Sequence, residues 1–346
     1  MTSKSFLLFP ETVRTLLANA CPSIQFRIYT EIFGQSEIDE ELSDLQGQIE
    51  KDDLVCEVFN EQKPDGWLGK EFHGFDSIET GIRILAEKGL NRDHPVLSSA
   101  LHALNNRDDR LHLGIGKVGK ILDDLGFGGS ERIRATVFAY TKMEEKTCIK
   151  QEIKKALKAF KAVREVQRIS DITEEFRDRL VFKPGVIWPD IYALRLLAFT
   201  NGWRSKKNLH SICDAVLKLV ELSPIPKIYV RHKSRWMAPG SFAMHNINPD
   251  MARLDDASWM RWFHRMEMFS RLGVVKEIAS LENQVVLLRY MLELDGGMFT
   301  KPLAHYFFNT WGAYSGLRLE KDWRSPKRRE YDLTFRSLLI LHYSNL

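Results

Sequence analysis

Apolar residues recur at steps of three and four along most of this chain, as they do on one face of an α-helix. Ile24, Ile28 and Ile32 are four apart, and Gly34 ends that run. In the segment 147–168, apolar residues keep helical spacing and five lysines lie opposite or beside them. Such periodicity predicts amphipathic helices with one buried face. No strand pattern competes with it, and we interpret 227–230 as an extended connection.

Five turn dipeptides divide the chain at a nearly constant interval. Their second residues are 63, 56, 55 and 56 positions apart (129−66, 185−129, 240−185 and 296−240). A period near 56 accommodates one helical hairpin, namely two helices of about 15–20 residues and two connections. The 346 residues hold about six such hairpins. The dipeptides are Asp65-Gly66, Gly128-Gly129, Pro184-Gly185, Pro239-Gly240 and Asp295-Gly296.

The spacing predicts an all-α fold in which about six hairpins close on themselves as an α/α toroid around a central cavity. We expect one domain over residues 1–346, because a closed repeat array is one cooperative unit. Residues 1–63 would complete the ring and 64–346 would form the repeat hairpins. The predicted inner helices lie near 76–88, 131–142, 189–200, 255–272, 304–318 and 331–343.

Composition agrees with a protein that has a large core. Apolar residues make up 44% and charged residues 28%, so disorder is not expected. The net charge of +4 comes from dispersed basic residues, and we predict no nucleic-acid partner. The four cysteines form no C-x-x-C pair, and neither a signal peptide nor an 18-residue apolar stretch is present. These features predict a cytoplasmic protein without a membrane span.

Two helix entries look alike. Trp188-Pro189-Asp190 precedes the apolar run that contains Tyr192 and Arg195, and Asn248-Pro249-Asp250 precedes Leu254 and an aromatic stripe. Proline needs no partner in the first turn, and aspartate accepts hydrogen bonds from the free amides there. The two aspartates are therefore either plain N-caps or caps that also face a ligand at the mouth of the cavity.

The segment 58–69 resembles the Q-x-x-D-G-x-W element of the prenyltransferase and squalene-cyclase repeat. It reads Val-Phe-Asn-Glu-Gln-Lys-Pro-Asp-Gly-Trp-Leu-Gly, with the tryptophan directly after the glycine, and the resemblance extends over 54–104. The N-terminal region also resembles uncharacterised bacterial proteins described only as prenyltransferase-like. The resemblance implies the terpenoid-cyclase-like toroid. It also implies that Gln62 caps a helix end and stacks on an aromatic ring, while Asp65-Gly66 turns the chain.

The catalytic signatures of that family are missing. Asp123-Asp124 and Asp255-Asp256 lack the first aspartate of D-x-D-D, no D-D-x-x-D is present, and no D-x-C zinc motif occurs. The G-x-G-x-x-G at 114–119 follows too short an apolar run for a dinucleotide site, so we predict no cofactor. Because the metal-binding motifs are also missing, we predict no metal. The resemblance supports a fold more strongly than an activity.

Other polar residues keep alternative interpretations. His264 and Glu267, three apart on one helix, could act as acid and base or share a metal, or they could be core residues. His245 and His305 lie in the turn-to-helix regions of the later repeats. The basic segments 231–236 and 327–329 are interpreted as solvated loops, with phosphate binding as the alternative.

Three functions fit this pattern. The preferred one is a terpenoid cyclase or prenyltransferase-like enzyme that holds a hydrophobic small-molecule substrate in an aromatic-lined cavity and takes its acid from Asp76, Asp190, Asp255 or His264. A carbohydrate-active hydrolase or lyase would need two carboxylates in a tryptophan-lined groove. A non-catalytic binding module would have a filled or shallow centre and would lack a perturbed acid.

The predicted site residues come from several repeats that a ring would bring together. The oligomeric state is not predicted. As catalytic residues we predict Asp190, Asp332, His264 and Glu267; as substrate-binding residues Asp76, Trp188, Tyr192, Arg195, His245, Asp250, Asp255, His305 and Trp311.

Overall fold

The computed structural model describes residues 9–37, 39–112 and 116–346, and it is mainly helical. Helices take up 59% of the residues and strands 6%, which confirms the helical class. The helices are α1 (Pro10–Asn19), α2 (Pro22–Arg27), α3 (Ser43–Ile49), α4 (Asp53–Asn60), α5 (Ile78–Lys88), α6 (Pro95–Asn106), α7 (Asp108–Leu111), α8 (Gly116–Asp124), α9 (Ser130–Tyr140), α10 (Thr147–Val163), α11 (Ile169–Ile172), α12 (Ile191–Ala198), α13 (Lys206–Leu222), α14 (Asp256–Leu272), α15 (Ala279–Leu294) and α16 (Pro326–Ser344). The strands are β1 (Thr173–Phe176), β2 (Arg179–Phe182), β3 (Val230–His232) and β4 (Arg235–Met237).

The chain divides into two compact units. The first unit contains the described residues up to Asn106 together with Leu254–Lys276 and Leu281–Leu346. The second unit contains the described residues of Arg107–Arg253 together with Glu277–Ser280. The first unit therefore joins the early and late parts of the chain, while the second is nearly continuous in sequence.

The core of the first unit is formed by helices that are buried almost all round. Helix α14 packs along α16, and α16 also meets the π-helical turn Ile28–Ile32 that continues α2. Nine of the eleven residues of α5 are buried. Helices buried on every side belong in the centre of a large helical protein, in contrast to the one-sided helices of its periphery.

The second unit has two layers of helices. Helix α9 packs against α12, α10 packs against α13, and α10 also packs against α9. All eight residues of α12 are buried, whereas α10 and α13 each bury one face. The exposed lysines of α10 thus lie on the wet face of an outer helix, as expected for its amphipathic sequence.

Helix starts follow ordinary capping chemistry. The side chains of Asp52, Ser77, Asp190, Ser205 and Asp255 each accept a hydrogen bond from a backbone amide in the first turn of the helix that follows. Capping of this kind satisfies amides that have no partner inside the helix. Asp190 therefore caps α12 as predicted.

The aspartate at 250 does not start the helix that its sequence predicts. Only a single 3-10 turn, Met251–Arg253, follows Asp250, and α14 begins at Asp256 behind the cap Asp255. The last inner helix, predicted near 331–343, starts earlier than expected, because α16 begins at Pro326 and Asp332 lies inside it. Proline at the first helical position marks that start.

Five of the six predicted inner helices are present as helices, and the one predicted at 304–318 is not. The helices are α5, α9, α12, α14 and α16. Within 304–318 only Tyr306–Phe308 forms a 3-10 turn, followed by irregular chain. Gly316 adopts a φ of 91° against Trp311, and Phe75 packs where a side chain at 312 would stand. These glycines make the segment a packed loop.

Two short hairpins in the second unit were not predicted. Strands β1 and β2 pair antiparallel with Thr173 opposite Phe182, and β3 and β4 pair antiparallel with Val230 opposite Met237. A bridge between Val181 and Tyr229 joins the two hairpins. The segment 227–230 is thus partly strand, and the interpretation as a plain connection is wrong for its end.

Among the described residues, no helix combines the length and the apolarity that crossing a bilayer requires. The four cysteines are free thiols of intermediate exposure. Part of the G-x-G-x-x-G segment, residues 114 and 115, lies outside the described residues, and α8 begins at its second glycine, Gly116.

Candidate functional site

The predicted site residues are divided between the two units. Asp76, Asp255, His264, Glu267, His305, Trp311 and Asp332 lie in the first unit, and Trp188, Asp190, Tyr192, Arg195, His245 and Asp250 lie in the second.

Glu267 lies in a group of buried charges in the first unit. Its side chain is 2% exposed. One carboxylate oxygen accepts from Arg271 Nη2 at 2.8 Å and lies 3.8 Å from Arg27 Nη2, while the other accepts from Arg336 Nη1 at 3.1 Å. Three guanidinium groups therefore surround one carboxylate, and both of its oxygens are in use.

The same arginines hold two further acids. Glu31 pairs with Arg27 at 2.5 Å and with Arg271, and it accepts the hydroxyl of Tyr343 at 2.8 Å. Burial alone would raise the pKa of Glu31, but Arg27 and Arg271 outweigh it and lower that pKa far below its usual range. Glu31 is thus a permanent anion at any ordinary pH.

Glu87 completes this group, which we call the arginine–glutamate cluster (Arg27, Glu31, Glu87, Glu267, Arg271 and Arg336). Glu87 Oε2 pairs with Arg27 Nη1 at 2.8 Å and with Arg336 Nη1 at 3.0 Å. Burial would raise its pKa, but Arg336 and Arg27 lower it to about 2. Four elements contribute to the cluster: the α2 end with its π turn, α5, α14 and α16.

Asp332 precedes Arg336 by one turn of α16 and is 1% exposed. It accepts three hydrogen bonds, from Leu319 N at 2.8 Å, Glu320 N at 3.1 Å and Trp323 Nε1 at 2.6 Å. Burial raises its pKa in spite of these donors and of the positive charge of Arg336. The carboxylate fixes the loop 319–323 against α16.

Glu320 is the carboxyl that the sequence did not reveal. It is 4% exposed, and its Oε1 accepts the backbone amide of Cys21 at 2.8 Å. Burial and the neighbouring Asp332 raise its pKa to about 7. The residue lies in a charged loop without a motif, so only the fold shows that it is enclosed.

Lysine and cysteine lie beside this pair of acids. Lys88 donates to Asp52 Oδ2 at 2.7 Å and to the carbonyl of Leu319 at 2.6 Å. Cys21 Sγ donates to the same carbonyl at 3.2 Å, and burial together with Glu320 raises its pKa well above the usual range. Cys21 is therefore a protonated thiol and a poor nucleophile.

His264 lies on α14 beside a packed group of aromatic rings. The rings of Trp259, Trp262, Phe263 and Phe299 pack edge-on or tilted, with centroids 5.2–5.8 Å apart. Trp262 Nε1 donates to Gln284 Oε1 at 2.8 Å. These rings pack against one another as the side chains of a hydrophobic core do.

Asp76 and Asp255 lie at the surface of the first unit. Asp76 accepts from Lys70 N at 3.1 Å and pairs with Lys70 Nζ at 2.9 Å, and this hydrogen bond lowers its pKa. Asp255 accepts from Ser258 N at 2.7 Å as the cap of α14, which also lowers its pKa. Both acids are ionised at neutral pH, in contrast to the general acid that was predicted.

His305 and Trp311 lie in the loop found where an inner helix was predicted at 304–318. His305 Nδ1 accepts from Phe307 N at 3.1 Å and the ring stacks on Tyr306. The guanidinium of Arg83 lies 5.0 Å from the centroid of the buried Trp311 ring, and Arg83 also lowers the pKa of Glu87. Trp311 is thus linked through Arg83 to the arginine–glutamate cluster.

In the second unit Asp190 is both a cap and a buried ion-pair partner. Its Oδ1 accepts from Tyr192 N at 2.8 Å and Ala193 N at 2.9 Å, and its Oδ2 accepts from Arg132 Nη1 at 2.6 Å. Arg132 also pairs with Glu152 at 3.2 Å. Burial raises the pKa of Asp190 against the opposing effect of Arg132.

Two of the recurrent turns meet at Asp190. A side chain at Gly128 would meet the Asp190 carboxylate at 2.7 Å, and one at Gly240 would meet its Cβ at 3.2 Å. The glycines are therefore needed for close approach to this aspartate, and the regular turn spacing has a packing reason here.

The remaining predicted residues of the second unit are placed differently. Trp188 is buried against Phe182, and the Arg195 guanidinium lies 5.2 Å from the Tyr192 ring centroid. His245 Nδ1 lies 3.2 Å from the carbonyl of Phe242. Asp250 is exposed and pairs with Arg253 at 3.3 Å.

No group of three or more histidine, cysteine, aspartate or glutamate side chains among the described residues has the arrangement of a metal site. Comparisons of the chain with protein-family models, with curated proteins and with solved structures give no match.

Proposed function

We propose that this protein is a non-catalytic binding protein on an α/α toroid scaffold, and that its buried charges stabilise the scaffold. Burial raises the pKa of Asp190, Asp332 and Glu320, which we expected of an enzyme and not of a binding module. The proposal therefore depends on a different observation, the hydrogen-bond partners of the predicted catalytic carboxylates. The predicted catalytic carboxylates Glu267, Asp190 and Asp332 each engage both of their oxygens with arginine, tryptophan or backbone donors. A general acid or nucleophile needs an oxygen that faces the substrate.

The helix packing supports the toroid. In the second unit α9 pairs with α12 as successive inner helices would, and α10 pairs with α13 as successive outer helices would. In the first unit, segments from both ends of the chain pack together, as ring closure requires. The resemblance to the prenyltransferase and squalene-cyclase repeat implies that Gln62 caps a helix end. In agreement with this, Gln62 Nε2, just beyond α4, donates to the carbonyls of Val96 and Gly66 at 2.8 and 3.2 Å.

The test is a turnover and binding screen of the purified protein. It is incubated with a metabolite extract, prenyl diphosphates and oligosaccharides, and both products and retained ligands are identified by mass spectrometry. We expect ligand retention without product. Turnover of any of these compounds would contradict the proposal, and its loss in folded Asp190→Asn or Glu267→Gln protein would assign it to those carboxylates.

A second candidate is an acid-catalysing enzyme of the cyclase type, and Glu320 is the observation that favours it. A carboxyl with a pKa of about 7 is partly protonated at neutral pH, as a general acid must be. A glycosidase would need a second available carboxylate, but the adjacent Asp332 is held by three donors. This enzyme would lose turnover above pH 7 and in Glu320→Gln, whereas Glu293→Gln on exposed α15 would keep it.

A further inference from the structure

The two hairpins of the second unit form one continuous surface, which we call the hairpin surface (residues 173–183 and 227–237). Besides the bridge between Val181 and Tyr229, Phe182 N donates to Tyr229 O and Tyr229 N donates to Leu180 O, both at 2.9 Å. Val181 and Val230 are buried beneath it. Segments more than forty residues apart in the chain are thereby held side by side.

Positive charge is concentrated on this surface. The two segments contain seven lysine and arginine residues and three acids, so their net charge is 7 − 3 = +4, equal to that of the whole chain. The acids are Glu174, Glu175 and Asp178; Glu174 lies 3.8 Å from Arg231 Nη1. A local field of this kind attracts polyanions, although the net charge of the chain is small.

Three of its arginines stack on aromatic rings. The guanidinium of Arg179 lies 4.6 Å from the ring centroid of Trp236 and 4.7 Å from that of Tyr229. Arg231 and Arg177 lie 4.0 and 5.3 Å from the ring centroid of Phe176. Stacking holds a guanidinium plane in place while its edge can still donate to an anion.

The exposed arginines of the hairpin surface are held by the hairpin backbone. Arg177 Nη1 donates to the carbonyl of Ser234 at 3.2 Å, across the two hairpin turns. Arg177, Arg231, Lys233 and Arg235 are exposed. Arg231 and Arg235 lie in the paired strands β3 and β4, whereas Arg177 and Lys233 lie in the turns that join paired strands. Stacking on Phe176 restrains the side chains of Arg177 and Arg231, so less side-chain freedom is lost when an anion binds.

In contrast to the expectation from the dispersed charge of the whole chain, we propose that the hairpin surface binds single-stranded nucleic acid, with the exposed arginines on the phosphates and the bases on the flat guanidinium and aromatic groups. Arginine donates in the planar geometry that phosphate accepts, and single-stranded bases stack on arginine and aromatic planes. A lipid surface fits less well, because the large exposed apolar side chains of the described residues lie outside these segments. Such a surface would serve a binding protein and an enzyme alike, so its test is separate from the turnover screen.

The experiment is fluorescence anisotropy of labelled oligothymidylate and oligouridylate of about 16 nucleotides, titrated with the full chain at several salt concentrations. The test variant is Arg177→Gln/Arg231→Gln/Arg235→Gln. The matched control, Lys154→Gln/Lys158→Gln/Lys161→Gln, removes the same charge from the exposed face of α10 in the same unit. The single variant Arg235→Gln provides a milder change if the triple variant fails to fold by circular dichroism.

We expect the test variant to lose about tenfold or more in affinity and its salt slope to fall by about 2, since each lost phosphate contact contributes about 0.7 on single strands. The single variant Arg235→Gln should lose less affinity than the triple variant, and the control should bind like the parent. The proposal is overturned if the parent does not bind at low salt or if the control loses as much as the test variant. It is also overturned if anionic vesicles or polyglutamate compete as well as the oligonucleotides.

Discussion

At the scale of single residues, the buried charged side chains are explained by partners that lie far away in sequence. Glu267 meets Arg336 across 69 positions and Asp190 meets Arg132 across 58. The helix entry at Asp190 and the spacing of Glu267 from His264 identified these acids as candidates, but neither feature gave information on their partners. Without the partners, a structural acid and a catalytic acid look the same in the sequence.

Replacing Glu267 by glutamine should strongly destabilise the protein. Arg271 and Arg336 would remain buried while a negative charge that offsets them is lost, and breaking a buried pair in this way costs about 3–5 kcal/mol. Urea unfolding measures the loss. The matched control is Glu293→Gln, which removes an exposed partner of Arg289 and should cost about 1 kcal/mol or less. Equal effects of the two substitutions would show that the arginine–glutamate cluster is not structural.

Glu320 should make the protein less stable as the pH rises from 4.5 to about 7. Its folded-state pKa of about 7 exceeds the ordinary value of 4.5, so the folded state binds the proton more tightly than the unfolded state. Its stabilisation is complete below pH 4.5 and is lost as the pH rises through 7. Glu320→Gln should therefore make the free energy of unfolding less dependent on pH between these two pH values. Parallel pH curves for the parent and the variant would refute this assignment.

At the scale of elements, helices were predictable and their ends less so. The recurrence of apolar residues every three to four positions is a local pattern, and it identified α5, α9, α12, α14 and α16. The predicted bounds 255–272 match α14, which Asp255 caps, whereas the Pro-Asp pattern placed a helix entry at Asp250, where the structure has only a 3-10 turn.

This difference predicts unequal effects of two alanine substitutions. Asp255→Ala removes the cap of α14 and should cost about 0.5–2 kcal/mol in unfolding free energy. Asp250→Ala, five positions earlier and also exposed, changes only a 3-10 turn and should stay within about 0.5 kcal/mol. Thermal and urea unfolding compare them. A larger loss for Asp250→Ala would place the functional cap at the earlier aspartate.

The elements that were missed have tertiary causes. The hairpins contain β-prone residues, but each is too short to stand out before strand pairing brings them together. The loop 304–318 contains enough aromatic residues to look like a helix, and packing of Phe75 and Trp311 against its glycines makes it irregular. Neither contact can be read from the local sequence.

At the scale of the whole molecule, the apolar spacing correctly indicated a mainly helical protein, whereas the repeated hairpins, the closed toroid and the single domain stay predictions. The first unit joins the beginning of the chain to its end through contacts such as that of Arg336 with Glu87. Cooperative stability in that unit should therefore extend over distant parts of the sequence.

Leu338→Ala in the middle of α16 should test this cooperativity. Leu338 is fully buried, and its truncation should cost about 2–5 kcal/mol. Hydrogen exchange followed by mass spectrometry should show faster exchange in α2, α5 and α14 as well as in α16, because these helices share the arginine–glutamate cluster. Ser337→Ala, a smaller buried change beside it, serves as the comparison. Faster exchange confined to α16 would contradict a single cooperative unit.

By itself, the sequence determined the helical class and several helix positions, because amphipathic spacing and turn chemistry act over a few residues. Only the tertiary structure decided which charges are paired, which acids have raised pKa values and where positive charge accumulates. Glu320 owes its pKa of about 7 to burial and to Asp332, and the hairpin surface owes its charge to the pairing of separate strands. Burial and electrostatic interaction depend on distance in space, and the chain sets that distance only once it is folded.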